Sequence, residues 1–103
     1  MSSAHPRVSI IVPMRNAEAF IEETLRSVLL ERSVALEVLV INDRSTDRSL
    51  ERAMALGDSR VRILDGAGAG ISAAMNLGLA AANGDIVMRC DADDFYPVSR
   101  IQN

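Results

Sequence analysis

The chain has 103 residues, 11 basic side chains that are all arginine, 14 acidic ones, a formal charge of −3 and a hydrophobic fraction of 49%. A chain of this length hides roughly 65% of its unfolded surface on folding, which supports one core and leaves little for a second lobe. The acidic balance without a basic cluster excludes the electrostatic footprint of a nucleic-acid binder, and apolar runs no longer than stretches such as Val38–Ile41 fall far short of the ~20 residues of a membrane-spanning helix.

The polar stretch Met1–Arg7 lacks the apolar core of a signal peptide and reads as a tail, with the folded domain over 8–103. Val8-Ser9-Ile10-Ile11-Val12 is β-branched and reads as a strand closed by Pro13, which has no N–H for a ladder. Asn16 then offers an N-cap for a helix whose apolar residues Ala17, Phe20, Ile21, Leu25, Val28 and Leu29 share one face. Glu18, Glu22 and Glu23 fall early in it, where the helix dipole favours anions. Val38-Leu39-Val40-Ile41 is continuously apolar, as in a strand covered on both faces, and ends at Asn42 and Asp43. Ser45, Thr46 and Asp47 can cap a helix with Leu50, Ala53 and Met54 inward, and Gly57 can stop it.

Val61-Arg62-Ile63-Leu64 reads as a third strand, and Asp65 to Gly70 as a glycine-rich loop. A helix with Ile71, Ala74, Met75, Gly78, Leu79 and Ala82 on one side follows, with Asn83-Gly84 as its C-cap. Ile86 to Cys90 reads as the fourth strand, and Pro97 opens a last helical turn. The fold class is therefore α/β in the order β-α-β-α-β-α-β, a mostly parallel Rossmann-like sheet flanked by helices with right-handed crossovers. Ligands bind such sheets beyond the carboxyl ends of the strands. Three of those ends carry polar groups here: Arg15 and Asn16, then Asn42 and Asp43, then the run Asp91-Ala92-Asp93-Asp94.

Three carboxylates within four residues repel one another unless something neutralises them. A divalent cation does so, since Mg²⁺ and Mn²⁺ take carboxylate oxygens and complete their shell with water and phosphates. A solvated acidic loop or a capping cluster is the competing reading. Asp43 is either a turn residue bonded to nearby backbone or the acceptor of a ligand N–H, such as the imide of a uracil. Arg15 and Arg44 are two phosphate partners at the same mouth, or solvated surface arginines. Gly68-Ala69-Gly70-Ile71-Ser72-Ala73 satisfies the dinucleotide pattern G-x-G-x-x-A, but it follows the third strand, and no second mononucleotide half follows it. Cys90, the single cysteine, permits no internal disulfide, reads as a small buried strand residue and points to a reducing cytoplasm. His5 has no partner for catalytic or metal chemistry, and Met54 and Met75 read as core.

Taken in order, VSIIVPMRNAEAFIEETLRSVL, EVLVINDRSTDRS, GISAAMNLGLAAANGD and MRCDADDFYP followed by SRIQ resemble the nucleotide-binding half of family-two glycosyltransferases of the GT-A fold, from about Val8 to Arg100. The resemblance implies transfer of a sugar from a nucleotide-sugar donor, UDP-linked, to a glycan or lipid-linked acceptor with inversion. It places Pro13, Met14 and Asp43 at the base, with Arg15 and Asn16 in the same donor-binding loop. It puts Asp91 and Asp93 on Mn²⁺ or Mg²⁺ and through it on the diphosphate, and Ala92 and Asp94 beside the donor. The metal would neutralise charge on the departing nucleoside diphosphate. Gly70, Ser72, Asn76 and Gly78 match the family's third-helix pattern, with packing as their main role. Many relatives carry an aromatic where Met14 or Arg15 stands, and Asn42 takes a place often held by a second aspartate. Members of the family continue past this point into an acceptor region that carries the catalytic base, so the expectation is a donor-binding half, inactive by itself, whose uncovered apolar surface favours self-association. A non-catalytic nucleotide-binding module and an NAD-type domain built on Gly68 and Gly70 are the alternatives.

Overall fold

The structure is a computed structural model and describes residues 7–32 and 34–90. Along them run β1 (Val8–Met14), α1 (Ile21–Leu29), β2 (Leu36–Asn42), α2 (Ser49–Met54), β3 (Val61–Asp65), α3 (Ile71–Ala81) and β4 (Ile86–Arg89). The strands form one parallel sheet in the order β3-β2-β1-β4. The connection after β3 crosses the two central strands, so the strand order reverses between β1 and β4, the place where such sheets take ligands.

Side chains alternate between the two faces of a strand, and both faces are covered here. Val8, Ile10, Val12 and Met14 of β1, with Leu36, Val38 and Val40 of β2, pack against Ile21, Leu25 and Val28 of α1 and Ala53 of α2. The intervening Ile11, Leu39 and Ile41 meet Ala74 and Met75 of α3 on the other face. α3 lies close to the sheet because its contact stripe is made of small residues. A Cβ at Gly78 would stand 2.6 Å from Ile11 Cγ2, so the role expected of this glycine in packing is visible as a steric fact.

Several local expectations need correction. β1 does not stop at Val12 but continues through Pro13, paired with Ile41, to Met14. Residues of equal parity in a strand present their backbone groups to the same neighbour. Ile11 O accepts the Cys90 N–H on the β4 side, so Pro13 faces that side too. Among the described residues the β4 ladder has ended there, with Ile11 opposite Arg89, and the missing N–H costs nothing. Asn16 is not an N-cap, because α1 begins at Ile21 after a turn in which Phe20 N–H and Ile21 N–H both donate to Ala17 O. Met54 is 63% exposed rather than core, about 100° around α2 from buried Ala53. Leu79 and Ile71 are likewise exposed, outside the narrow Ala74–Gly78 stripe, while Met75 is partly buried as expected. The fourth strand ends at Arg89, one residue early, and Cys90 is buried.

Asn83 and Gly84 form no left-handed cap, since neither has a positive φ. They serve instead a polar cluster at the amino end of the sheet that centres on Glu37. Its carboxylate accepts from Ser9 Oγ at 2.6 Å, the Asn83 N–H at 2.6 Å and the Arg62 guanidinium at 3.3 Å. Gly84 N–H donates to Ser9 Oγ at 2.8 Å, and a Cβ at Gly84 would lie 2.7 Å from the Ser9 backbone nitrogen. Burial by itself pushes the Glu37 carboxyl up, but the Ser9 hydroxyl, the Asn83 backbone and side chain and Arg62 together hold it below the ordinary value. The fold class expected from the sequence is the one observed.

Candidate functional site

At the carboxyl edge of the sheet a cavity of about 440 Å³ opens between the end of β1, the turn before α1, the end of β2 and the start of α3. Pro13, Met14, Arg15, Asn16 and Asp43 line it, so five residues singled out in the sequence border one space. Ala17, Phe20, Gly70, Ile71 and Ala74 complete the lining. Arg44 is not among these residues, and its side chain instead packs against Gly68. Met14 is buried, Arg15 and Asn16 are exposed, and the Phe20 ring is 51% exposed.

Two loops that carry this lining are tied to each other. Asn16 has a left-handed backbone (φ 52°), and its Oδ1 accepts the Thr46 N–H at 2.7 Å and the Thr46 hydroxyl at 3.2 Å. In return Asn16 N–H donates to Ser45 Oγ at 3.0 Å, Ala17 N–H to Ser49 Oγ at 2.7 Å and Glu18 N–H to Asp47 Oδ2 at 3.1 Å. Asn42 Oδ1 accepts the Ser45 N–H, and Glu18 Oε1 the Arg48 N–H. Ser45, Thr46 and Asp47 are thus spent mostly on the loop after β1 rather than on capping α2. Asp47 does accept from the Ser49 hydroxyl and N–H, which hold its carboxyl below the usual range, the hydroxyl foremost.

Asp43 is 5% exposed and grips the glycine loop: Gly68 N–H donates to Oδ1 at 2.7 Å and Gly70 N–H to Oδ2 at 3.2 Å. The loop can approach so closely because a Cβ on Gly66 would fall 2.9 Å from Asp43 Oδ1, and because Gly68 (φ +74°) and Gly70 (φ +100°) adopt backbones that favour glycine. This weighs against the dinucleotide reading on chemical grounds. A pyrophosphate-cradling loop presents its backbone N–H groups to the ligand, whereas those of Gly68 and Gly70 are directed at Asp43. An ionised carboxylate has about four acceptor sites, so Asp43 keeps capacity for a further donor from the cavity it lines.

Asp91, Ala92, Asp93 and Asp94 lie outside the described residues, as do Phe95, Tyr96 and Pro97. The chain reaches them from Cys90, whose N–H donates to Ile11 O at 3.0 Å at the carboxyl edge beside β1. Carboxylates spaced Asp-x-Asp are the hard oxygen donors that Mg²⁺ and Mn²⁺ take, so the chemistry of this donor set fits such an ion. Phe20 is a lining residue that sequence reasoning missed, because the helical period assigned it to the core face. The position of the helix start, four residues later than Asn16 suggested, is what releases it.

The family model described as Glycosyl transferase family 2 matches residues 9–103. The chain belongs to that family. Among the relatives of this glycosyltransferase-family chain, the uncharacterized glycosyltransferase EpsJ of Bacillus subtilis (strain 168) is 41% identical over 99 residues, which cover 94% of this chain and 29% of EpsJ. The structure of the mannosyltransferase PcManGT from Pyrobaculum calidifontis in complex with GDP-Man and Mn²⁺ matches with a TM-score of 0.83 at 30% identity, over 96% of this chain and 31% of that one. S. aureus TarS in complex with UDP-GlcNAc matches with a TM-score of 0.77 at 28% identity, over 93% and 29%. The family-two chain therefore spans 29% to 31% of the length of these three relatives. Its fold is the GT-A arrangement that the sequence motifs suggested. Among the described residues no helix is long and apolar enough to cross a membrane.

Proposed function

We propose that this chain is the donor-binding part of a metal-dependent, inverting glycosyltransferase that takes a nucleotide sugar, UDP-linked, and serves a glycan or lipid-linked acceptor in the cytoplasm. The observation that carries the reading is the gathering of Pro13, Met14, Arg15, Asn16 and Asp43 around one cavity at the carboxyl ends of β1 and β2 in a family-two chain. Pro13 and Met14 offer apolar contact to the base, and Asp43 accepts an imide N–H with the lone pairs that the glycine loop leaves over. Arg15 on the rim supplies a cation for the diphosphate. Asp91 and Asp93 would hold Mn²⁺ or Mg²⁺, with Ala92 and Asp94 beside the donor. A bound divalent ion supplies neutralisation of the charge that develops on the departing nucleoside diphosphate. Support for the metal and the donor class comes from PcManGT, which carries Mn²⁺ with GDP-Man, and from TarS with UDP-GlcNAc.

The test is a thermal-shift titration with UDP, GDP and NAD, each with Mn²⁺, Mg²⁺ or EDTA. A ligand that binds only the folded state adds about 2.7 kcal/mol at a hundred times its dissociation constant, so weak binding is visible. The expected outcome is stabilisation by UDP plus metal, abolished by EDTA and strongly weakened by Asp93→Ala. A larger response to GDP would reassign the base, and a metal-independent response to NAD alone would restore the dinucleotide reading. Silence with every nucleotide would overturn the proposal.

A further inference from the structure

We infer that Phe20 is the stacking platform for the nucleobase, a binding role supplied from the turn before α1 rather than from the loop that directly follows β1. The inference rests on the nucleotide-donor reading of the cavity and names a residue within it. Phe20 is the single aromatic ring among the described residues, and it lines the cavity while remaining 51% exposed. It belongs to neither core cluster, so packing does not account for it. Nor does it hang loose. Its N–H and that of Ile21 bond to Ala17 O at 2.9 and 2.8 Å, while Ala17 and Glu18 are tied to Ser49 and Asp47 across the facing loop. A half-exposed ring on a fixed turn, bordering a space also lined by the apolar side chains of Pro13, Met14, Ile71 and Ala74, is what the flat face of a base requires. Stacking has no preference among bases, because every base has a π-face. Discrimination between them is left to hydrogen-bonding groups, of which Asp43 is buried in the same cavity.

The chain has no tryptophan, so Phe20→Trp installs a sole indole reporter at the site. Its emission is expected to be quenched by UDP and GDP with Mn²⁺ and unchanged by pyrophosphate or ribose 5-phosphate with Mn²⁺. In calorimetry, Phe20→Ala is expected to weaken UDP about 5- to 150-fold, the range seen when a stacked ring is removed, while pyrophosphate binding stays the same. Phe20→Tyr should bind like the parent, and Phe20→Leu should fall between. Phe20 makes no side-chain cap to α1, so the melting temperature of these variants serves as a check that the fold is kept. UDP affinity of Phe20→Ala equal to the parent's, or equal loss of UDP and pyrophosphate, would overturn the stacking role alone. Parent protein that binds neither UDP nor GDP would overturn the donor reading and this inference with it.

Discussion

Asp43 shows how one side chain can be structural and chemical at once. Its two oxygens fix the backbone of Gly68 and Gly70 at the mouth of the cavity, and a hydrogen bond to a charged group contributes about 1.5–3 kcal/mol. Asp43→Ala should therefore lose about 2 kcal/mol in urea unfolding as well as nucleotide affinity. Asp43→Asn offers one acceptor oxygen where the carboxylate offered two, and is expected to lie between. An unchanged denaturation midpoint for Asp43→Ala would mean that the glycine loop is held by something else. Gly78 makes a second residue-scale case. Alanine there must displace Ile11, whose Cγ2 and Cδ1 lie 2.6 and 3.0 Å from the added carbon. Overpacking of this kind costs typically about 1–3 kcal/mol, although alanine is the better helix former. A stabilised Gly78→Ala protein would contradict the close approach of α3 to the sheet.

At the scale of elements, the loops after β1 and β2 behave as a single wall. Bonds run both ways between them: the Thr46 N–H donates to Asn16 Oδ1, while the Asn16 N–H donates to Ser45 Oγ and the Ala17 N–H to Ser49 Oγ. Both loops carry a non-glycine residue in the left-handed region, Asn16 at φ 52° and Arg44 at φ 58°, conformations that the cross-bonds help to maintain. Ser49→Ala removes the acceptor of the buried Ala17 N–H and should cost about 1–2 kcal/mol. It should also speed amide exchange at Ala17 in one loop and Thr46 in the other together, because the two loops open as one unit. Exchange confined to one loop would show that they move separately. A similar device closes the other end of α1, where the Arg60 guanidinium donates to Leu29 O and Glu31 O at 2.9 and 3.1 Å. Arg60 also pairs with Asp58 at 2.9 Å and is the chief cause of that carboxyl's lowered pKa.

For the whole molecule, acid acts on the carboxylates whose native pKa is held down, Glu37, Asp47 and Asp58. Glu37 has its native pKa lowered from 4.5, so the unfolded chain binds its proton more readily than the native one. The stabilisation it supplies is complete above that ordinary value and is lost as pH falls through it towards the lowered native value. Glu37→Gln should flatten the loss of stability as pH falls through the ordinary carboxylate range and below it, read as the urea midpoint against pH. A parallel curve for the two proteins would sink this assignment. Ile86 and Val87 on the edge strand β4 are 47% and 39% exposed, and we propose that the chain self-associates through such uncovered apolar surface. A clean monomer in sedimentation at high concentration would count against it. Since these residues amount to 29–31% of the length of the relatives compared, the 103 residues are expected to bind donor with little transfer, and enzyme-like turnover by them would refute that.

The sequence by itself determined the alternation of strands and helices, the covered central strands and the polar strand ends, because these depend on local periodicity and on which residues can end an element. Val38–Ile41 announces a strand buried on both faces wherever it is placed, and the ordered motifs announce the family. Only the tertiary structure decided that Asn16 joins two loops instead of starting a helix, that Pro13 continues its strand, that Phe20 faces a cavity instead of the core, and that Asp43 holds Gly68 and Gly70. Each of these depends on a partner about 25 to 30 positions away in the chain or on which edge of a strand is unpaired. A hydrogen bond or a cavity wall is chosen by what the fold brings alongside, and that choice is invisible to a local reading. Glu37 shows the same limit: nothing local marks an acid beside an apolar run as buried, and only Ser9, Asn83 and Arg62, gathered by the sheet, make its burial favourable.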